Sequence, residues 1–297
     1  MKLQSIVRTP IPGAPGAEAD PNYREVWPEL RLKMPLQMPI QRADIKVTIV
    51  DSGDPKKNDL NRDDDGHAAL LERLIRTRAQ RFSGVNIAVN HFKAFSAQGW
   101  PELNDSADAI SQAVAINPHV IVLAWDTGHT TQKLWTEIAL ATNAVFVVAA
   151  GNWSLNNDRY YNWPANHGQN MTHVITVMAT DEHDERASFS SYGQTSVYVA
   201  APGFAMIEAA PSSSNLRNFG SLKQSASVFR GTSAATAHVA LLAALVKAKN
   251  PSWASADIKK HIGNTARVVP ALMKRWSVVT KLCAKQAIAD FGQALTP

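Results

Sequence analysis

The 297-residue sequence contains one cysteine, Cys283, which excludes an internal disulfide. No uninterrupted apolar run reaches the about 18 residues that a membrane-spanning helix needs. The first residues, MKLQSIVRTPIPGAPGAEAD, also lack the apolar segment of a secretory signal. A lone cysteine fits a reducing compartment. We therefore expect a cytoplasmic location and no membrane partner.

The charge pattern gives little support for a nucleic-acid partner. The net charge is +5, and positive residues are densest in ERLIRTRAQR, residues 72–81. At helical spacing these side chains form one solvated face, and no nucleic-acid recognition motif accompanies them. None of the nine histidines belongs to an HExxH motif or a Cys/His pair. We expect no nucleic-acid partner, no metal and no cofactor.

Short apolar runs alternate with helical patterns from residue 44 onwards. The runs are IKVTIV (45–50), a weaker one at 85–90, HVIVLA (119–124), AVFVVAA (144–150) and HVITVMA (173–179). Such runs are typical of strands buried on both faces of a parallel sheet. The helical patterns between them are GHAALLERLIRTRAQRF, DSADAISQAVAI and TTQKLWTEIALAT. The alternation predicts an α/β fold built from βαβ units.

Residues 1–40 differ in composition from the rest of the chain. They contain seven prolines: Pro10, Pro12, Pro15, Pro21, Pro28, Pro35 and Pro39. Proline has no amide hydrogen, so it disfavours long helices and central strands. We therefore divide the chain into an irregular proline-rich arm, residues 1–40, and one larger domain, residues 41–297.

Polar residues follow three of the predicted strands where each strand ends. Asp51 follows the first, Asp126 follows the run at 119–124, and Asn152 follows the run at 144–150. In open parallel sheets, ligands bind at the carboxyl ends of the strands. The sequence therefore predicts a functional site at this edge of the sheet.

Asp51, His67 and Ser233 are the residue types of a nucleophilic triad, in one of its known chain orders. A serine hydroxyl is a weak nucleophile until an imidazole takes its proton, and a carboxylate fixes the tautomer of that imidazole. Ser233 begins GTSAATAHVALLAALV, a helix with almost no polar side. Its backbone N–H therefore lacks an intrahelical partner and can face an oxyanion. Asn152 offers a second oxyanion donor.

Four segments resemble the motifs of the subtilisin-like serine proteases, the subtilases. They are DSG at Asp51, DGH at His67, AAGN at Asn152 and GTSAATAHVA at Ser233. With similar flanking segments, the resemblance extends over roughly Asp44 to Ile288. Four motifs in the family's order are strong evidence, whereas each motif alone is moderate evidence.

The resemblance implies a three-layer α/β sandwich whose mainly parallel central sheet is flanked by helices. It also implies a serine endopeptidase that cleaves protein or peptide substrates without a cofactor. Asp51, His67 and Ser233 would be catalytic, and Asn152 would be the oxyanion donor. Substrate would lie against four residues at the strand ends: Ala124, Trp125, Asp126 and Gly151. Residues 1–40 would lie in the cleft as a short inhibitory leader.

The sequence also departs from the family pattern. LAWDTG stands where subtilases usually have a Ser-Leu-Gly strand, so Trp125 and Asp126 would narrow or recharge the substrate wall. The preference of the family for substrates therefore does not carry over. Ala237 and Leu241 replace a usual Pro and Gly, and the histidine motif continues with Ala68-Ala69-Leu70 instead of Gly-Thr-His. We expect local repacking there and retained chemistry.

Other interpretations stay open at this point. Taken singly, Asp51 and Asn152 are ordinary turn residues, His67 is an ordinary helix-start residue and Ser233 is an ordinary N-cap. A catalytically silent subtilase-like module that binds a protein partner in its cleft also fits, and Trp125-Asp126 is the feature that would favour it. The oligomeric state is not indicated.

Overall fold

A computed structural model describes residues 23–57, 66–95, 101–208, 226–276, 278–281, 283 and 285–296. Its α-helices are α1 (Tyr23–Arg31), α2 (His67–Ala79), α3 (Leu103–Ala115), α4 (Gln132–Leu140), α5 (Thr232–Lys249), α6 (Ser255–Thr265) and α7 (Phe291–Leu295). Its first strands are β1 (Met38–Asp51), β2 (Phe82–Lys93), β3 (Val120–Leu123), β4 (Val145–Ala149), β5 (Val174–Thr180) and β6 (Val199–Pro202). The remaining strands are β7 (Phe204–Glu208), β8 (Ala226–Arg230), β9 (Arg267–Val268), β10 (Met273–Trp276), β11 (Val278–Lys281) and β12 (Ala287–Ile288).

An eight-stranded sheet in the order β2-β1-β3-β4-β5-β6-β12-β9 forms the centre of the fold. Its neighbours pair in parallel from β2 to β12, and β9 is antiparallel at the edge. The five predicted strands correspond to β1–β5, and the three predicted helices correspond to α2, α3 and α4. Strands β3, β4 and β5 are buried along their whole length, as their continuous apolar runs predict. The predicted α/β fold is confirmed.

Helices cover both faces of this sheet. Alternate residues of the central strands divide between two core clusters, because successive side chains of a strand point to opposite faces. Val122 and Val147 belong to the cluster that contains α5, whereas Leu123 and Phe146 belong to the cluster that contains Leu134 of α4 and residues of α3. The result is a three-layer arrangement.

Helix α5 lies at the centre of its layer and packs against five strands of the sheet and against α2. Sixteen of its 18 residues are buried, which explains why its sequence is apolar on every side. Ala237 and Leu241, the positions where subtilases usually have Pro and Gly, are both in this core. The helix continues unbroken past them to Lys249.

The described part of the proline-rich arm is more regular than expected. A nine-residue helix, α1, includes Pro28, and β1 begins at Met38, before the predicted boundary at residue 40. A short helix loses one hydrogen bond to proline and survives when tertiary contacts hold it. Here Trp27 is buried, with its ring centroid 5.9 Å from that of Phe204. Residues 1–22, with the first four prolines, lie outside the described residues.

The basic segment 72–81 is not the solvated face predicted for it. Arg78 is buried and pairs with Glu29 of α1, and Arg76 pairs with Glu72 one turn away in α2. Part of the positive charge of this segment is therefore neutralised by ion pairs with Glu29 and Glu72.

Across the described residues, no helix is both long enough and apolar enough to cross a membrane. In the same part of the chain, no three His, Cys, Asp or Glu side chains form a group that could hold a metal ion.

Gly84 is required where β2 passes a register shift in β1, between Pro39 and Ala43. Its φ is +94°, and a Cβ atom would lie 2.1 Å from the backbone oxygen of Ile40. We expect Gly84→Ala to lower the free energy of unfolding by about 1–3 kcal/mol, because it adds both backbone strain and a clash. Urea unfolding followed by circular dichroism measures this change. Ser83→Ala, at the exposed neighbouring position, should cost less than about 0.5 kcal/mol; equal losses would contradict the explanation.

Candidate active site

Asp51 and His67 are brought together by the end of β1 and the start of α2. Asp51 is the last residue of the strand, and His67 is the first residue of the helix. Asp51 Oδ1 accepts a hydrogen bond from His67 Nδ1 at 2.7 Å. The Asp51 side chain is fully buried, whereas that of His67 is 26% exposed. In the neutral imidazole with its hydrogen on Nδ1, Nε2 is the nitrogen that can accept a proton.

Ser52 ties these two elements together. Its backbone N–H donates to Asp51 Oδ1 at 2.8 Å, and its Oγ accepts a hydrogen bond from Ala68 N at 3.0 Å. The Ala68 N–H belongs to the first turn of α2, where backbone donors lack intrahelical partners. Ser52 therefore caps the helix that carries His67 from the strand that carries Asp51.

Ser233 occupies the second position of α5, and Gly231, not Ser233, is the N-cap. The Ser233 hydroxyl is almost buried and donates to the carbonyl oxygen of Ala124 at 3.1 Å. Its backbone N–H has no hydrogen-bond partner among the described residues. Four residues earlier, the Phe229 ring packs edge-on against His67, with centroids 5.7 Å apart. The imidazole therefore lies beside the segment that leads into Ser233.

Asn152 lies at the same end of α5. Its side-chain oxygen accepts hydrogen bonds from the backbone N–H of Thr232 at 2.9 Å and from the Thr232 hydroxyl at 3.1 Å. Asn152 thus caps α5 from the loop after β4. Because its oxygen is engaged in this way, the orientation of the amide is fixed and its Nδ2 group is the remaining donor. Ser233 N and Asn152 Nδ2 are thus two donors at the N-terminus of α5, the first in the helix and the second on the residue that caps it.

The four predicted substrate-binding residues have different environments. Ala124 supplies the carbonyl that holds the Ser233 hydroxyl. Trp125 is buried in the core, and its indole N–H donates to the Val50 carbonyl at 2.7 Å, next to Asp51. The expected narrowing of the substrate wall therefore does not come from the Trp125 side chain. Gly151, with φ +96°, packs against Asp126; a Cβ atom there would lie 2.3 Å from Asp126 Oδ2.

Asp126 faces a cavity of about 940 Å³, which is also lined by Trp153, the residue that follows Asn152. The cavity is lined by Pro101, Glu102, Leu103, Asn104, Asp105, Asp126, Thr127, Gly128, His129, Thr131, Trp153, Leu155, Tyr161 and Asn162. Trp153 Nε1 donates to Asp126 Oδ2 at 3.1 Å, and Asn162 also donates to this carboxylate. Burial raises the pKa of Asp126 above its usual value, against the lowering effect of these two hydrogen bonds.

Sequence reasoning missed the roles of Ser52 and Asn162. Asn162 Nδ2 donates to the Ala150 carbonyl at 2.6 Å, so a residue from a distant turn supports the loop that carries Asn152. No local pattern marks such a contact. Ser52 had a weak signal, since it stands directly between Asp51 and a glycine that breaks the strand.

The family model of the subtilases matches residues 38–293. The chain belongs to the subtilase family. This result agrees with the four motifs, and Asp51, His67, Asn152 and Ser233 all lie inside the matched region.

Individual subtilases are moderately similar to this chain. Alkaline elastase YaB of Bacillus sp. (strain YaB) is 30% identical over 220 residues, 72% of this chain and 52% of that protein. Alkaline protease of Alkalihalobacillus alcalophilus is 31% identical over 242 residues, which cover 75% of this chain and 59% of that protein. Subtilisin BL of Lederbergia lenta is 31% identical over 242 residues, with 83% of its length covered. The chain thus spans little more than half the length of the first two relatives.

A solved structure has the same fold. The crystal structure of MycP1 with its N-terminal propeptide removed aligns with a TM-score of 0.66 and covers 91% of this chain and 96% of its own. The two sequences are 22% identical. At this identity, the similarity shows a shared fold and no more.

Ser52→Ala tests the connection between β1 and α2. The change removes the acceptor of the Ala68 N–H, and a lost helix cap costs about 1 kcal/mol. If that energy holds His67 against Asp51, the rate at which Ser233 reacts with a fluorophosphonate should fall roughly five-fold. Thr176→Val is the matched control, because it removes another buried hydroxyl, bonded to Ala165 O at 2.8 Å, away from the Asp51–His67 pair. Equal rates in the two variants would show that Ser52 has no positioning role.

Proposed function

We propose that this subtilase is a serine endopeptidase that cleaves protein or peptide substrates. The observation that carries the proposal is the 2.7 Å hydrogen bond between buried Asp51 and His67, beside the α5 terminus that holds Ser233. Relatives that are named proteases, an elastase and a subtilisin support the same activity.

In the proposed reaction, His67 acts first as a base and then as an acid. Its Nε2 takes the Ser233 hydroxyl proton while Oγ attacks the peptide carbonyl, and Asp51 stabilises the resulting imidazolium. His67 then gives this proton to the leaving amine. In the second half of the reaction, the same nitrogen takes a proton from water while the water oxygen attacks the acyl carbonyl, and it gives this proton to Ser233 Oγ as the bond between Oγ and the acyl group breaks. To begin, the hydroxyl must rotate from the Ala124 carbonyl toward His67.

The negative charge that develops on the carbonyl oxygen needs donors that are already in place. Ser233 N–H and Asn152 Nδ2 are suited to this task, because both are held at the terminus of α5 by the Asn152–Thr232 hydrogen bonds. Preorganised donors stabilise the transition state without reorganisation during the reaction. The positive end of the helix dipole favours the same charge.

Fluorophosphonate labelling tests the nucleophile directly. We expect one covalent adduct on Ser233, mapped by mass spectrometry, and none in Ser233→Ala. His67→Ala should slow labelling strongly, because the hydroxyl then lacks its base. Absence of any adduct in the folded chain, both with residues 1–40 present and with them deleted, would favour the silent binding module instead. The observation that favours this module is the hydrogen bond that the Ser233 hydroxyl donates to the Ala124 carbonyl.

Two substitutions of Asn152 separate its capping role from its role as a donor. Removing the equivalent donor in subtilisin costs on the order of 100- to 1000-fold in turnover, and we expect the same order for kcat in Asn152→Ala. Asn152→Asp retains the oxygen that accepts from Thr232 but loses the amide donor. Its melting temperature should stay closer to the wild-type value, while its kcat falls at least as far. If Asn152→Asp kept full turnover, the amide would not be an oxyanion donor.

The cytoplasmic location and the inhibitory role of residues 1–40 stay predictions. The first depends on the cysteine content, and the second concerns mainly residues outside the described part of the chain.

A further inference from the structure

The cavity beside Asp126 opens between the two segments that would hold the scissile peptide bond. One wall continues from Ala124, whose carbonyl contacts the Ser233 hydroxyl, to Asp126 and Thr127. The other wall begins with Trp153, directly after Asn152. A peptide carbonyl placed between Ser233 Oγ and Asn152 would lie between these two walls, and the side chain of the residue that supplies it would then be next to the cavity. Asp126 is two residues from Ala124, at most about 7 Å along the chain.

The carboxylate of Asp126 is partly buried without a cation. Its two hydrogen-bond donors, Trp153 and Asn162, are both neutral. No salt bridge to it is found within the described residues, and the described lining of the cavity contains neither lysine nor arginine. Burying a carboxylate is costly unless it is paired. Burial accordingly raises its pKa, so a cationic group that entered the cavity would replace lost solvation.

The rest of the lining suits a long cationic side chain. Trp153 and Tyr161 are 62% and 76% exposed and stand at the rim, and aromatic rings attract ammonium and guanidinium groups. Leu103 and Leu155 provide apolar surface for an aliphatic stem. Lysine and arginine combine such a stem with a charged end. A large apolar side chain would instead leave the carboxylate unpaired.

We propose that this subtilase prefers lysine or arginine as the residue before the cleaved bond, and that Asp126 determines this preference. The inference rests on the proposed function, since it names the substrate of the same site.

Matched peptide substrates test the preference. They differ only in the residue before the cleaved bond, which is lysine, arginine or norleucine, the neutral counterpart of lysine. Hydrogen bonds to charged groups contribute about 1.5–3 kcal/mol, so kcat/KM should favour lysine over norleucine by roughly ten-fold or more. Asp126→Asn should reduce this ratio by about ten-fold or more, because the amide retains the shape but not the charge. The control is Asp108→Asn, which removes an exposed charge from α3 outside the cavity and should preserve the ratio.

A binding measurement keeps the inference testable if the chain does not cleave peptides. The fluorescent cation p-aminobenzamidine should bind the wild-type chain, and Asp126→Asn should bind it at least ten-fold more weakly. The uncharged p-aminobenzamide should bind poorly to both. Circular dichroism of each variant verifies that it is folded.

The combined outcomes distinguish this inference from the proposed function. If fluorophosphonate labels Ser233 but lysine is not favoured and the amidine does not bind, the inference is wrong and the peptidase function stands. If labelling fails, the amidine alone decides: binding that depends on Asp126 supports a cation pocket, and absent binding overturns it. A lysine preference that Asp126→Asn leaves unchanged overturns the role of Asp126.

Discussion

The burial of α5 on all sides is the constraint on which the site depends. A helix that packs against five strands and a second helix cannot shift or rotate without disturbing the whole core. Its first turn therefore has a fixed position relative to the carboxyl ends of the strands. Ser233 inherits that position, as does its backbone N–H, for which the described part of the chain provides no hydrogen-bond partner. The chemistry proposed for this residue requires such rigidity, because donors and nucleophile must be in place before charge develops.

The loops at this edge of the sheet are fixed by side chains that bond to backbone. Ala150 O accepts from Asn157 at 2.9 Å and from Asn162 at 2.6 Å, which holds the turn before Asn152. Asn152 then caps α5, and Ser52 caps α2 in a similar way. The N-termini of α2 and α5 thus each receive a partner from a strand end or from the loop that follows one. The same hydrogen bonds therefore satisfy the backbone N–H groups at the helix termini and hold the site residues in position.

The sequence was informative where a residue's role follows from its neighbours along the chain. Strands β1–β5 could be predicted because buried parallel strands have nearly continuous apolar sequences, and α2, which begins at His67, could be predicted because an amphipathic helix has a periodic apolar pattern. The basic segment was misjudged, since the partner of Arg78 is Glu29, far away in sequence. The arm was judged by its prolines, and its Trp27 contact with Phe204 could not be seen. Contacts between distant segments decided each of these cases.

Trp125 and Asp126 show that the direction in which a side chain points affects its role as much as the residue type does. As a pair, they were the reason to consider a silent binding module, because they lie in the segment where the family usually has a Ser-Leu-Gly strand. The structure separates them: Trp125 enters the core and bonds to Val50 O beneath Asp51, while Asp126 faces the cavity. Trp125 therefore supports the strand end that presents the carboxylate to His67, which favours an intact catalytic site. Of these two residues, only Asp126 lines the cavity, and a change in what the cavity binds does not require any loss of chemistry at Ser233.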